Sequence, residues 1–254
     1  MSPALATAAR LGLALLLGLS ACRSREQTVT VFAAASLAEP FRAMEAPFEA
    51  AHPGVDLELH FAGSQLLATQ LREGARAQLF ASADAAQLER AGERRELSGR
   101  ATFATNAIAV VVPSDSTLEG VADLAEPGVR VALAHAEVPA GRYAREALDA
   151  LELREAVEAN AIASATDVHG VIAVLRLGEA DAGLAYRTDL GEDGSLRALP
   201  LPASAGVVAR YELARIANGG AAHPADRAAE QFADFVLGAE GQAILRDAGF
   251  GPPP

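Results

Sequence analysis

Thr28-Val29-Thr30-Val31-Phe32-Ala33-Ala34-Ala35-Ser36-Leu37 runs from a β-branched strand through a loop of small residues into an apolar helical pattern. Leu37, Phe41, Met44 and Phe48 recur at the spacing of one helix face until His52-Pro53-Gly54 stops the element. Val55, Leu57, Leu59 and Phe61 then alternate with Asp56, Glu58 and His60, as in a strand with one buried face. A helix over 65–73, stopped by Gly74, and the short run Leu79-Phe80-Ala81 complete a βαβαβ order. That order predicts a mostly parallel, doubly wound sheet.

A second series follows. Ile108 to Val112 is a continuous apolar run closed by Pro113, the mark of a buried strand. Beyond it the pattern predicts a strand over 129–133, helices over 141–151 and 168–177, and strands over 182–185 and 197–201. A last strand over 207–216 leads through Asn218-Gly219-Gly220 to helices over 225–236 and 240–247. Two α/β lobes, with the tail returning to the first, fit this order. There is no internal sequence repeat, and Pro252 to Pro254 reads as a short disordered tail.

Arg10, the apolar run Leu11 to Leu19 and Ser20-Ala21-Cys22 form a secretory signal, too short to span a membrane. Leu19-Ser20-Ala21-Cys22 resembles the lipobox of bacterial lipoproteins, in which the cysteine becomes the lipidated first residue of the mature chain. Cys22 is the sole cysteine, so no disulfide forms within the chain despite its exported setting. A net charge of −12 argues against nucleic acid and against an anionic membrane surface as partners. Every one of the 21 basic residues is arginine, which excludes a P-loop lysine, a kinase lysine and a Schiff-base lysine together.

Ser36 falls where the unpaired N–H groups of a helix start converge with the positive end of its dipole, a seat for an anion. Three other stretches repeat the device. Phe61-Ala62-Gly63-Ser64 places the Ser64 hydroxyl at a helix start, and Val138-Pro139-Ala140-Gly141 exposes the Ala140 N–H there. Thr166-Asp167-Val168-His169-Gly170 does the same for the Val168 N–H, with Thr166 or Asp167 as the cap. Singly each is an ordinary helix cap; it is their repetition that points to an anion seat. Ser36 and Ser64 lie in no Gly-x-Ser-x-Gly elbow and near no triad histidine, which disfavours an exported serine hydrolase. His52, His60, His135, His169 and His223 show no metal-ligand spacing with one another or with Cys22.

These stretches, with Phe80-Ala81-Ser82-Ala83-Asp84, the fuller run Val138 to Ala144 and Gly183-Leu184-Ala185-Tyr186, resemble the periplasmic molybdate-binding proteins of bacterial ABC importers from about Thr28 to Gly251. The resemblance implies a type II periplasmic binding fold, two doubly wound α/β lobes joined by a hinge with the ligand cleft between them. The implied organisation is a signal peptide over 1–21, a lipid-anchored linker over 22–27, one lobe from 28–107 and 208–254, and the other from 108–207. The hinge is expected near 106–108 and 202–210.

The resemblance also implies that molybdate, and tungstate with it, receives hydrogen bonds from Ser36 and Ser64, from the Ala140 and Val168 N–H groups and from the Tyr186 hydroxyl. The metal then arrives inside an oxyanion, with no protein ligand bound to it and no cofactor. The expected protein is a monomeric, non-enzymatic lipoprotein, anchored to a membrane through Cys22, that delivers its ion to an ABC permease. A same-fold carrier for another oxyanion such as sulfate is the alternative. Two positions depart from the family. Gln78 stands where an aspartate is usual, with an expected effect on local capping, and His169, where arginine is frequent, reads as a partly exposed helical histidine.

Overall fold

The computed structural model describes residues 27–191, 193–217 and 224–254. The signal segment, Cys22, nearly all of the 22–27 linker and His223 lie outside the described residues. The chain forms β1 (Gln27–Ala34), α1 (Ala38–Ala51), β2 (Val55–Ala62), α2 (Ser64–Arg72), β3 (Leu79–Ser82), α3 (Ala85–Gly92) and β4 (Leu97–Asn106). It continues with β5 (Ile108–Pro113), β6 (Val131–Ala134), α4 (Pro139–Ala150), α5 (Arg154–Ala159), β7 (Ala161–Ala165), α6 (Val168–Arg176), β8 (Ala182–Tyr186) and β9 (Leu196–Pro200). β10 (Ala209–Ile216), α7 (Pro224–Leu237) and α8 (Ala239–Asp247) complete it.

The strands make two five-stranded sheets, ordered β2-β1-β3-β10-β4 and β7-β6-β8-β5-β9. In the first, β1 runs parallel to β2 and β3, while β10 is antiparallel to β3 and β4. The second repeats this plan: β6 runs parallel to β7 and β8, and β5 is antiparallel to β8 and β9. Each sheet is therefore more mixed than the βαβαβ order predicts. The reason is connectivity, because β5 and β10 each enter one sheet directly from the other and arrive without a crossover helix. The chain passes between sheets at Ala107 and again over 201–208.

One continuous apolar cluster runs through both halves, taking in Val29 and Val31 of β1 and Val110 and Val111 of β5. Phe41 and Phe48 of α1 meet Phe232 of α7 edge-on, with centroids 5.9 and 5.0 Å apart, a geometry that adds to their apolar burial. Gln78 acts on a strand rather than a cap: its side-chain carbonyl accepts the Thr30 N–H at 2.8 Å, fastening the segment before β3 to β1. The chain is held as far as Pro252, the first residue of the tail expected to be disordered. Gly251 bridges Thr105, and the Thr105 hydroxyl donates to the Pro252 carbonyl at 3.0 Å. Among the described residues no helix is long and apolar enough to cross a membrane.

Candidate functional site

Both sheets point helix starts at one another across the gap between them. After β1 the chain makes a 3-10 turn, Ala35–Leu37, before α1 begins, so Ser36 sits inside this turn rather than at an α-helical cap. Ser64 is the first residue of α2, with Gly63 as its N-cap. Ala140 follows Pro139 in the first turn of α4, where proline suits a position whose own N–H would be unpaired. Val168 opens α6, and the cap is Asp167, not Thr166, because its carboxylate accepts the Gly170 N–H at 3.0 Å.

Ser36, Ser64, Ala140, Val168 and Tyr186, the five positions singled out in the sequence, line one small cavity. Two come from the half built on the first sheet and three from the half built on the second. The cavity, about 10 Å³ when measured with a water-sized sphere, is far below the roughly 300–1,000 Å³ of sites for drug-sized molecules, which restricts the occupant to something small. Gly63 allows the walls this close, and Gly141 lets the start of α4 sit against the loop that precedes it. A side chain at Gly63 would meet the Thr166 carbonyl at 2.8 Å across the gap, and one at Gly141 would meet the His135 carbonyl at 2.2 Å.

The hydroxyls are arranged to donate into the cavity. The Ala83 N–H donates to Ser64 Oγ at 3.1 Å, leaving the Ser64 proton free to point elsewhere. Ser36 Oγ lies 2.9 Å from the Tyr211 hydroxyl. The Tyr186 hydroxyl is buried and, although the Tyr211 hydroxyl lies close enough to act on it, makes no well-formed hydrogen bond among the described residues. A buried polar atom without a well-formed bond costs about 1–3 kcal/mol, so its position on the cavity wall marks where a ligand acceptor belongs.

No arginine lines the cavity. Asp167 is on the wall, and Asp189 accepts the Tyr186 N–H at 3.1 Å. Burial pushes the Asp189 carboxyl up to about 8; the Tyr186 N–H opposes the shift and Asp167 adds to it. Burial likewise drives the Tyr186 and Tyr211 hydroxyls well above their ordinary range, which keeps both protonated as donors.

The two halves also hold each other directly. Gln65 Nε2 donates to the Thr166 carbonyl at 2.7 Å. Arg142 on α4 donates to Asp84 Oδ2 through Nη2 at 3.0 Å and Nε at 3.3 Å. Burial alone lowers the Arg142 pKa, but the Asp84 carboxylate overrides it and the net shift is upward. Asp84 is the N-cap of α3, accepting the Gln87 N–H at 2.9 Å, and it carries this ion pair besides. Sequence reading missed Tyr211 and the Asp84–Arg142 pair. Asp84 and Arg142 each stand in a singled-out motif, but nothing in either motif names the other as its partner.

Neither serine has a general base: Ser36 meets a tyrosine and Ser64 a backbone N–H. His169 is exposed, as read from the sequence. Among the described residues no cluster of histidine, cysteine, aspartate or glutamate is placed to hold a metal ion.

Comparison with known proteins agrees with this architecture. The model of a family described as bacterial extracellular solute-binding proteins matches residues 29–251. The molybdate-binding protein ModA of Mycobacterium tuberculosis is 36% identical over 231 residues, covering 89% of this chain and 85% of that protein. ModA of Escherichia coli is 30% identical over 236 residues and 89% of each chain. Among solved structures, the periplasmic molybdate-binding protein of Azotobacter vinelandii superposes with a TM-score of 0.75 at 22% identity, over 89% of this chain and 100% of that one. The sulfate-binding protein SubI of M. tuberculosis reaches the same TM-score at 17% identity, over 89% of this chain and 87% of that one, so backbone shape alone does not separate the two ions. Sequence match over nearly the whole described length, and two mixed sheets closing helix starts on a small cavity, place this chain in the family of bacterial extracellular solute-binding proteins.

Proposed function

We propose that the protein is an extracytoplasmic molybdate carrier that also takes tungstate and hands its ion to an ABC importer. The observation that carries this reading is the buried Tyr186 hydroxyl, without a well-formed hydrogen bond, on a wall shared with Ser36, Ser64 and the α4 and α6 starts. A tetrahedral dianion stripped of water needs several charge-assisted donors, each worth about 1.5–3 kcal/mol. In this reading Ser36, Ser64 and Tyr186 donate hydroxyls, and Ala140 and Val168 donate backbone N–H groups. The ModA relatives at 30% identity and above support molybdate over sulfate. A pocket fixed by backbone groups then rejects the smaller sulfate, because it cannot shrink to follow shorter oxygen positions.

In the same reading residues 28–107 and 208–254 form one lobe and 108–207 the other. They rotate about the crossings at Ala107 and 201–208, closing on the ion and opening to release it. Cys22 carries the lipid that holds the monomeric chain to its membrane, a role supported by the Leu19-Ser20-Ala21-Cys22 sequence. Side-by-side calorimetric titration with molybdate, tungstate and sulfate tests the reading. Tight binding of the first two with far weaker sulfate is expected; equal affinity for sulfate would refute the assignment of the ion.

A further inference from the structure

The Tyr211 hydroxyl reaches Ser36 Oγ from a position the proposed binding role does not use. Tyr211 lies on β10, in the half that returns to the first sheet, and is fully buried. Its ring is wedged among Phe103, Tyr186 and Phe250, with centroids 6.2, 5.7 and 5.3 Å away. Three aromatic neighbours leave the phenol no freedom to follow Ser36, so the serine must adapt to the tyrosine.

Either hydroxyl is able to donate across the 2.9 Å contact. Two considerations fix the direction. A phenol is the more acidic hydroxyl and the better donor, and burial keeps the Tyr211 hydroxyl protonated. An oxyanion in the cavity accepts only, so Ser36 must spend its single proton on the ion and can hold Tyr211 only as an acceptor. Ser64 shows the same logic with a group that cannot reverse, since the Ala83 N–H is a donor only.

We infer that Tyr211 is a specificity-determining positioning residue: its hydroxyl donates to Ser36 Oγ, so the Ser36 proton cannot turn toward Tyr211 and is left to face the cavity, where it opposes the proton of any protonated oxyanion. With Ala83 holding Ser64 in the same sense, both serine hydroxyls discriminate against hydrogen phosphate and hydrogen arsenate, whose remaining proton needs an acceptor. This inference rests on the oxyanion reading of the site and names the residue that gives it a preference for the fully deprotonated ion.

The test is Tyr211→Phe, which removes one oxygen and keeps the ring in its aromatic cage. The full mature chain and the variant are titrated at pH 8 with molybdate and with hydrogen arsenate, a tetrahedral dianion that still carries one proton. The variant is expected to bind molybdate about 3- to 10-fold more weakly, the loss of one hydrogen bond that orients a donor. Its Ser36 hydroxyl, now free to turn, should bind arsenate more tightly, so the molybdate-to-arsenate ratio falls by more than the molybdate loss alone. In a Ser36→Ala background the same substitution should leave the ratio unchanged. A variant that melts earlier but keeps the parental ratio would show Tyr211 to be structural only and would overturn the inference. If the unaltered chain fails to bind molybdate, the oxyanion reading itself falls and the inference falls with it; tight parental binding with an unchanged variant ratio removes Tyr211 alone.

Discussion

Replacing Arg142 by methionine should weaken ligand binding by acting on closure, at a distance from the ion. Asp84 is 1% exposed in its side chain, and Arg142, 35% exposed, is the basic group paired with it. Asp84 follows β3 and Arg142 belongs to α4, so the pair spans the gap between the two halves. When the cleft opens, both charges meet water; when it closes without Arg142, the Asp84 carboxylate is buried with only the Gln87 N–H to answer it. Breaking a buried pair costs 3–5 kcal/mol, and the partial exposure of Arg142 sets the figure below that range, at about 2 kcal/mol. At 1.4 kcal/mol per tenfold, that is roughly a 30-fold rise in the molybdate Kd. Calorimetric titration reads it directly, while the melting temperature of the ligand-free chain should barely move, because the open form does not contain the contact. Asp84→Asn keeps a capping oxygen for Gln87 and removes the stranded charge, so Arg142→Met should cost far less in that background. A Kd within twofold of the parent, or an equal loss in both backgrounds, would refute the latch.

Three further outcomes are expected. Ser36→Ala with Ser64→Ala removes two charge-assisted donors and should raise the molybdate Kd by about 10²- to 10⁴-fold while circular dichroism shows the fold intact; unchanged affinity would remove both residues from the site. The raised Asp189 pKa means that folding takes up a proton between the unfolded carboxylate value near 4 and the folded value of about 8. Its stabilising contribution is complete below the lower value and lost as pH rises to the upper one. Asp189→Asn should therefore flatten that part of the stability profile, and molybdate affinity should fall above pH 8 in the parent but less in the variant. Gly63→Val should hold the halves apart at the Thr166 carbonyl, lowering affinity at least tenfold and enlarging the radius of gyration of the ligand-saturated protein in X-ray scattering; a parental radius would show that the cleft accommodates the side chain.

What the sequence reveals divides along chain distance. Donors at Ser36, Ser64, Ala140 and Val168 are legible because each belongs to a strand-loop-helix unit whose parts are adjacent in the chain. Ser36 and Tyr211 are separated by 175 positions, and Asp84 and Arg142 by 58; only the assembled sheets bring them together. β4 escapes the pattern because Ser98, Gly99 and Arg100 are exposed and its pairing with β10 shifts register twice. α5 is six residues long, and β7 is Ala161-Ile162-Ala163-Ser164-Ala165, so neither offers a period to read. The shared plan of the two sheets is invisible for a related reason: strand order is set by connections, which hydrophobic periodicity does not encode.

The cavity without a basic lining residue has a kinetic side. A dianion held only by neutral dipoles, with Asp167 on the wall, keeps its full charge unneutralised inside a chain of net charge −12. Capture must therefore work against a repelling field, and added salt should speed association instead of slowing it. The same field favours unloading. Once the halves part, the short-range bonds are gone and the longer-ranged repulsion remains, so the carrier expels its cargo with no competing cation to pull it free.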